Sequence, residues 1–345
     1  MYLKKALLGT TALLGVGALM VADADRASAQ AFDVTVSGFS RFMAAFGDLE
    51  EKGGTTDARS LYFRNDTEVH VKARATDDAT GMRYGATVEF EADTNASVNT
   101  DETWIFIGGN WGELRFGDED GAADNMKVGG FSVAAGTGGI DGAGEVGGPG
   151  IFFDNSSDAT KIIYYSPNVS GFQLGISYTP DSGHAGSATY PTDTTATDRE
   201  DWIEAGIVYA GSFNGVDIKA SLVGSWADYE TGNNDFSAFG GGATIGFAGF
   251  SVAGGYFTEN DDVGGDRDIW NIGAAASLGP ANVSITYATI DPDGGGAEPD
   301  NIVLSADMGL FPGVALQGDI SFFDNDTGGG NDDGVTGVVR LHIGY

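Results

Sequence analysis

A period of two runs through this chain from Asp33 onward, and it leaves room for little except extended strands with two unlike faces. Between Leu61 and Arg74 one set of alternate residues reads Tyr62, Arg64, Asp66, Glu68, His70, Lys72, Arg74, while the interleaved set reads Leu61, Phe63, Asn65, Thr67, Val69, Val71, Ala73. Successive side chains of a strand point to opposite faces, so one face here is polar and the other largely apolar. The split recurs in Met82 to Glu91, Phe172 to Tyr178, Ile269 to Leu278 and Asn282 to Tyr287.

A soluble sandwich would alternate in the same way, so the connections decide. Short ones occur at Asp77-Asp78-Ala79-Thr80, Asn110-Trp111-Gly112, Ala248-Gly249, Gly279-Pro280-Ala281 and Phe311-Pro312-Gly313. Between them fall long, acidic, glycine-rich segments: Pro180 to Arg199, Glu259 to Asp266, Asp291 to Asp300 and Asn325 to Gly334. Short turns at one rim and long loops at the other describe a membrane-spanning barrel. Its strands are expected at roughly 33–47, 59–76, 81–92, 101–109, 113–118, 159–166, 171–179, 201–210, 216–228, 236–247, 250–259, 267–278, 281–290, 300–310, 314–324 and 334–345. The expected fold is therefore all-β, a 16-stranded antiparallel transmembrane β-barrel, whose even strand number brings both ends of the sheet to the short-turn rim.

The N-terminal segment fits an exported chain. Lys4 and Lys5 precede an apolar run from Ala6 to Ala22, and Ala27-Ser28-Ala29 follows, so residues 1–29 are expected to be a cleaved signal peptide and 30–345 the barrel domain. Beyond that run no apolar stretch approaches the roughly 18 residues that a spanning helix needs. The chain has no cysteine, so closure must come from backbone pairing and burial. A formal charge of −33 disfavours nucleic acid as a partner, and is tolerable where carboxylates sit on wet loops and along an aqueous lumen.

One connection departs from the pattern. From about 118 to 158 there is no clear periodicity, and a loop that long is far beyond the usual length. In a barrel wide enough to leave an open channel, such a loop can fold inward and narrow it.

Val34-Thr35-Val36-Ser37-Gly38-Phe39-Ser40-Arg41-Phe42, Gly81-Met82-Arg83-Tyr84-Gly85-Ala86, Asp101-Glu102-Thr103-Trp104-Ile105-Phe106-Ile107 and Gly112-Glu113-Leu114-Arg115-Phe116-Gly117-Asp118-Glu119-Asp120-Gly121 occur in that order. Tyr164-Tyr165-Ser166-Pro167, Gly171-Phe172-Gln173-Leu174-Gly175-Ile176-Ser177-Tyr178 and an aromatic final strand ending in Tyr345 follow. In this the chain resembles the general bacterial porin family of Gram-negative outer membranes, particularly its alphaproteobacterial branch, over nearly all of residues 30–345. The resemblance implies a homotrimer of 16-stranded barrels in the cell outer membrane, passing small hydrophilic solutes and ions by passive diffusion. It also implies that residues 118–158 form a constriction loop facing basic residues across the pore. Enterobacterial members carry a basic residue after the aromatic-glycine pair, where this chain has Asp118.

Arg41, Arg64, Lys72, Arg74, Arg83, Arg115 and Lys161 fall on the polar phase and are expected to line the pore. On the lipid face at the midplane an Arg or Lys would cost about 2 to 4 kcal/mol. Arg41, Arg64 and Arg115 are expected nearest mid-height. The acidic counterpart is expected from Asp118, Glu119, Asp120 and Asp124, with Asp141, Glu145 and Asp154 beyond them. Opposed charges across a wet passage favour polar solutes, and the acid surplus points to a cation preference. No resident cofactor is expected beyond loosely bound calcium, for which Asp118 and Asp120 are the candidates; no sequence there matches a dedicated calcium loop. Besides a second copy of the chain, the expected partners are outer-membrane lipid, lipopolysaccharide and small hydrophilic solutes.

Three rival readings stay open, one of them a soluble exported β-protein that would need no detergent. A solute-specific channel would build a binding site at the 118–158 loop. A hydrolase on the same barrel would need a nucleophile and base, and the chain offers only His70, His184 and His342, with no cysteine and no G-x-S-x-G elbow.

Overall fold

The structure is a computed structural model, and it describes residues 31–51, 60–93, 100–183, 197–296, 298–324 and 332–345. The expected signal peptide and His184 lie outside these residues. Sixteen strands are formed by the described residues: β1 (Asp33–Glu51), β2 (Leu61–Thr76), β3 (Arg83–Glu91), β4 (Thr103–Gly109), β5 (Gly112–Asp118), β6 (Thr160–Tyr165), β7 (Phe172–Asp181) and β8 (Arg199–Phe213). They continue as β9 (Val216–Tyr229), β10 (Asp235–Phe247), β11 (Phe250–Asp261), β12 (Arg267–Leu278), β13 (Ala281–Pro292), β14 (Asp300–Phe311), β15 (Val314–Asp324) and β16 (Asp332–Gly344). Each pairs antiparallel with its sequence neighbours, and β1 pairs with β16, so the sheet closes on itself. Closure leaves no unpaired strand edge, the condition for placing a sheet in lipid. Tyr345 completes the seam, since its backbone exchanges two hydrogen bonds with Gly38, at 2.9 and 3.1 Å.

Sequence alternation becomes a division between outside and inside. Phe42, Phe63, Leu222 and Ile272 stand on the outer face, each more than half exposed, as a lipid-facing band requires. Arg41 and Asp66, directly opposite in register, point inward with Met43 and Arg64 beside them. No described helix is long and apolar enough to cross a membrane.

Strand ends differ from the sequence expectation where a turn is tighter than composition suggests. Residues 211–215 read as a loop in sequence, yet β8 runs to Phe213 and β9 resumes at Val216. Asn214 and Gly215 both adopt positive φ, 51° and 79°, the mirror-image two-residue turn whose twist matches that of the flanking strands. The ladder therefore continues to the pair Phe213–Val216.

Wall height is uneven. β4, β5 and β6 have only 7, 7 and 6 residues, against 15 and 14 for β8 and β9. The low sector is where the chain leaves the wall between β5 and β6.

Candidate functional site

The connection from β5 to β6 folds into the barrel. It carries one short helix, α1 (Ala122–Met126), and three single 3-10 turns at Gly130–Val133, Gly139–Asp141 and Gly144–Val146. α1 lies against β7, β8 and β9; the turns then pass in order over β10 to β13, β13 to β14, and β15 to β16. An irregular segment buried this way must find partners for its backbone groups, and the wall provides them. Ser177 Oγ accepts from Ala122 N–H at 3.0 Å, and the two carboxylate oxygens of Glu204 accept from Ser156 and Ala123 N–H at 2.8 and 3.3 Å. Asn271 accepts from Gly130 N–H at 2.6 Å and donates to Ile151 O at 2.9 Å. Ser284, Thr286 and Asp319 accept from Ala135, Ile140 and Thr137, while Asn301, Gln317 and Thr336 donate to Gly147, Gly136 and Val146 carbonyls.

Close approach needs small wall residues. A β-carbon on Gly242 would stand 2.1 Å from Val128 O, and one on Gly273 would stand 2.2 Å from Gly130 O. Beneath the loop, Met43, Ile140, Val146, Ile151, Ala288, Val303 and Val338 form an apolar cluster that excludes water from these contacts.

Charged side chains pin the loop at three points. Lys161, on β6, is 2% exposed and donates from Nζ to the carbonyls of Glu119, Ser157 and Ala159, joining both limbs of the loop's base. Asp154 bridges Arg199 and Arg267 at 3.1 and 3.0 Å, and those arginines also hold Asp261 and Glu259. At the far tip Glu145 meets Arg64 at 2.8 Å.

The basic residues singled out by the alternation lie on the inner face but do different things. Arg41 pairs with Asp66 at 3.1 Å and donates to His342 Nδ1 at 3.3 Å. Arg115 pairs with Glu113 and Glu119 and stacks on Trp104 and Tyr165. Lys72 faces Glu89 at 3.7 Å and Arg83 faces Glu113 at 3.7 Å, both toward the short-turn rim, where Arg74 lies over the Phe106 ring. Lys161 is covered by the loop rather than facing the passage. Arg340, Arg199 and Arg267 join this set without a sequence expectation. Arg340 sits opposite Met43 in register and donates to Gln317 and Thr137, so it meets the Arg41 and Arg64 cluster through the β1–β16 seam.

Among the acidic candidates, Asp118 accepts from the Thr160 hydroxyl, Glu119 holds Arg115, Asp124 holds Lys127 at 2.5 Å, and Asp141 is exposed. Asp120 instead gathers with Glu102 and Asp158, their carboxylate oxygens all within 4.8 Å of one another. Glu102, just before β4, is pushed up to about 8 by burial first and then by Glu89, Asp120 and Asp158. Asp120 is pushed up to about 7 by burial and then by Asp124 and Asp158, against Lys127. Burial and Asp101 raise Asp158 as well. Three further groups could hold a cation: Glu68 with His70 and Glu89, Asp66 with Glu91 and Asp93, and Glu68 with Glu91 and Asp101.

A family model described as Gram-negative porin matches residues 10–328. Among curated proteins, one from Rickettsia bellii is 27% identical over 188 residues, 45% of this chain and 42% of the relative. One from Rickettsia prowazekii is 30% identical over 166 residues, 40% of this chain and 37% of the relative. The match thus spans less than half the length of these relatives. Among solved structures, the anion-selective porin from Comamonas acidovorans aligns with a TM-score of 0.67 at 20% identity, over 91% of this chain and 100% of that one. A loop-deletion variant of OmpT, an outer-membrane protein of Vibrio cholerae, gives 0.65 at 13% identity over 92% and 100%. A multiply substituted porin of Rh. blastica gives 0.60 at 16% over 91% and 100%. At these identities the likeness establishes the fold.

Proposed function

This chain belongs to the Gram-negative porin family, outer-membrane channels for passive diffusion, and from that premise we propose that its pore prefers cations and that the loop between β5 and β6 is its selectivity element. The observation that carries the preference is the matching of charges along the lumen. Arg41, Arg64, Lys72, Arg83, Arg115, Lys127, Arg199 and Arg267 each stand within 4 Å of a carboxylate, so their positive charge is largely offset. Glu102, Asp120 and Asp158, by contrast, face one another, and this group gains negative charge as pH rises through about 7 and 8. Arg74 and Arg340 lie on the same wall, over the Phe106 ring and against Gln317 and Thr137, so the preference rests on the carboxylates that outnumber the cations; where that excess is ionised, a narrow passage with low-dielectric walls enriches cations. Small hydrophilic solutes would share this path.

Measurement of the reversal potential of purified protein in a planar bilayer, across a potassium chloride gradient, tests the preference. A sign indicating cation preference is expected; zero or the opposite sign overturns it.

Loosely held calcium, expected at Asp118 and Asp120, finds its best geometric support at Asp120 with Glu102 and Asp158, because the Asp118 carboxylate is engaged by Thr160. For the homotrimer, support comes from the low wall. A 7-residue strand such as β4, at about 3.4 Å per residue and a tilt near 40°, rises only about 18 Å, short of the apolar band of about 25 Å. A second copy of the chain would cover the apolar hollow outside β2 to β5, lined by Phe32, Tyr84, Ile105, Ile107 and Phe116. Cross-linking across Ile105→Cys in native outer membranes tests this contact.

A further inference from the structure

On the inner wall below the Arg41 cluster, strand geometry sets one imidazole between two carboxylates. Glu68 and His70 are two residues apart on β2, so both point inward, and Glu89 on β3 lies directly opposite His70 in the sheet register. His70 Nε2 is 3.0 Å from Glu68 Oε2 and 3.4 Å from Glu89 Oε2, and the three ligand atoms all lie within 4.8 Å of one another. Two donors bound to one tetrahedral zinc ion at about 2.0–2.1 Å are themselves about 3.3 Å apart. The two His70 distances bracket that separation, with the Glu68–His70 contact acting as a hydrogen bond that a metal would replace.

The surroundings suit an ion that arrives from water. The three side chains are 18%, 18% and 16% exposed, covered enough to be held and open enough to be reached. Lys72 approaches Glu89 from its other oxygen, at 3.7 Å from Oε1, which leaves Oε2 to the shared point. The Phe39 ring packs edge-on against the imidazole with centroids 6.4 Å apart, fixing its plane. Glu91 lies opposite Glu68 in register and adds a further negative charge beside the group.

We infer that Glu68, His70 and Glu89 form a binding site for a divalent transition-metal ion of the zinc class, with its remaining coordination positions open to the lumen. An imidazole donor selects zinc, nickel, cobalt and copper over calcium and magnesium, which prefer oxygen donors alone. An ion held there neutralises the two carboxylates on the wall and lowers cation flux. The inference rests on this face being the wet lumen, and the test separates the two questions.

Full-length purified protein in detergent is titrated with zinc chloride by calorimetry and with copper by electron paramagnetic resonance; the same preparation is recorded in planar bilayers with and without zinc. Current without metal establishes the open lumen by itself, whatever the metal does. Expected are saturable zinc binding, nitrogen hyperfine structure from one imidazole on copper, and a reversible zinc-dependent fall in current that calcium and magnesium do not produce. His70→Gln and Glu89→Gln should each weaken zinc binding about tenfold or more, while Asp291→Asn on the exposed rim leaves it unchanged. Two variants guard against misfolding of either one. The inference is overturned by absence of zinc binding at millimolar concentration, by equal effects of calcium, by equal loss in Asp291→Asn, or by zinc binding that survives in both His70→Gln and Glu89→Gln.

Discussion

Arg64 Nε and Glu145 Oε1 stand 2.8 Å apart, tying the wall at β2 to the far tip of a loop that leaves the wall at β5. A second contact, from an Arg64 terminal nitrogen to the other oxygen at 3.2 Å, makes the pair two-pronged. The Glu145 carboxylate is 5% exposed, whereas the guanidinium is reached by water at 39%. Arg64→Gln therefore removes the charged partner of Glu145, leaves it the Tyr62 hydroxyl, and loosens the tip. Single-channel records of this variant should show larger open-channel noise and a higher mean conductance than the parent, with a stability loss of only about 1 kcal/mol because water screens the arginine.

Glu204 governs the other end of the loop. Its side chain is fully buried and accepts two amide hydrogen bonds, from residues that lie on opposite limbs of the loop's base, Ala123 and Ser156. Hydrogen bonds to a charged acceptor contribute about 1.5–3 kcal/mol each. Glu204→Ala, which orphans both amides, should lower unfolding free energy in detergent by about 3 kcal/mol or more, and Glu204→Gln, which keeps one acceptor oxygen, by clearly less. Equal stability of the alanine variant and the parent would contradict this role.

The trio of Glu102, Asp120 and Asp158 gives the channel a pH dependence. Glu102 and Asp120 lose protons only near pH 8 and 7, because burial and mutual repulsion favour the neutral forms. Between about pH 6 and 9 the loop base gains negative charge, so cation preference should increase over that interval in the parent and much less in Glu102→Gln. Folded-state affinities raised above the ordinary carboxylate range mean that the charged trio opposes the fold. Stability should fall as pH rises from about 4 to 8, and Glu102→Gln should lose less of it, as thermal unfolding at about pH 5 and pH 9 would reveal. The groups interact closely and titrate as a unit.

How much of this is written locally follows from the range of each interaction. Strand faces are set by neighbours two residues apart, so alternation alone places Arg64, His70 and Arg115 on the inner face. Arg340 is legible in the same way, alternating with His342 in the final strand, but its place beside Arg41 and Arg64 arises from closure of β16 onto β1. The loop announces itself by length, whereas its path does not. Asn271 and Gly130 are joined across 141 positions, and neither carries a local signature of the other. Glu204 reads in sequence as one more strand carboxylate, and Lys161 as one more pore cation, because burial beneath a folded-in loop is a property of the whole barrel. Residues 211–213 read as loop in sequence because composition suggests a five-residue connection, where Asn214-Gly215 turns the chain in two.

The glycines of the inner wall decide how closely the loop can lie. Gly242 on β10 faces Val128 O so closely that a β-carbon would stand 2.1 Å from it, and the obstruction is backbone, which cannot rotate away as a side-chain tip can. Gly242→Ala should lift the segment around Val128 off β10, breaking neighbouring wall-to-loop bonds such as that from Gly130 to Asn271. Its consequences should be a lower unfolding temperature and a constriction that conducts with more noise. Gly279, in the turn between β12 and β13, has φ of 67°, and a β-carbon added there would meet nothing within 4 Å. Gly279→Ala thus carries only left-handed backbone strain, about 1 kcal/mol, and should lower stability slightly while leaving conductance and noise unchanged. A Gly242→Ala channel indistinguishable from Gly279→Ala in single-channel noise would show that the loop does not rest on this glycine.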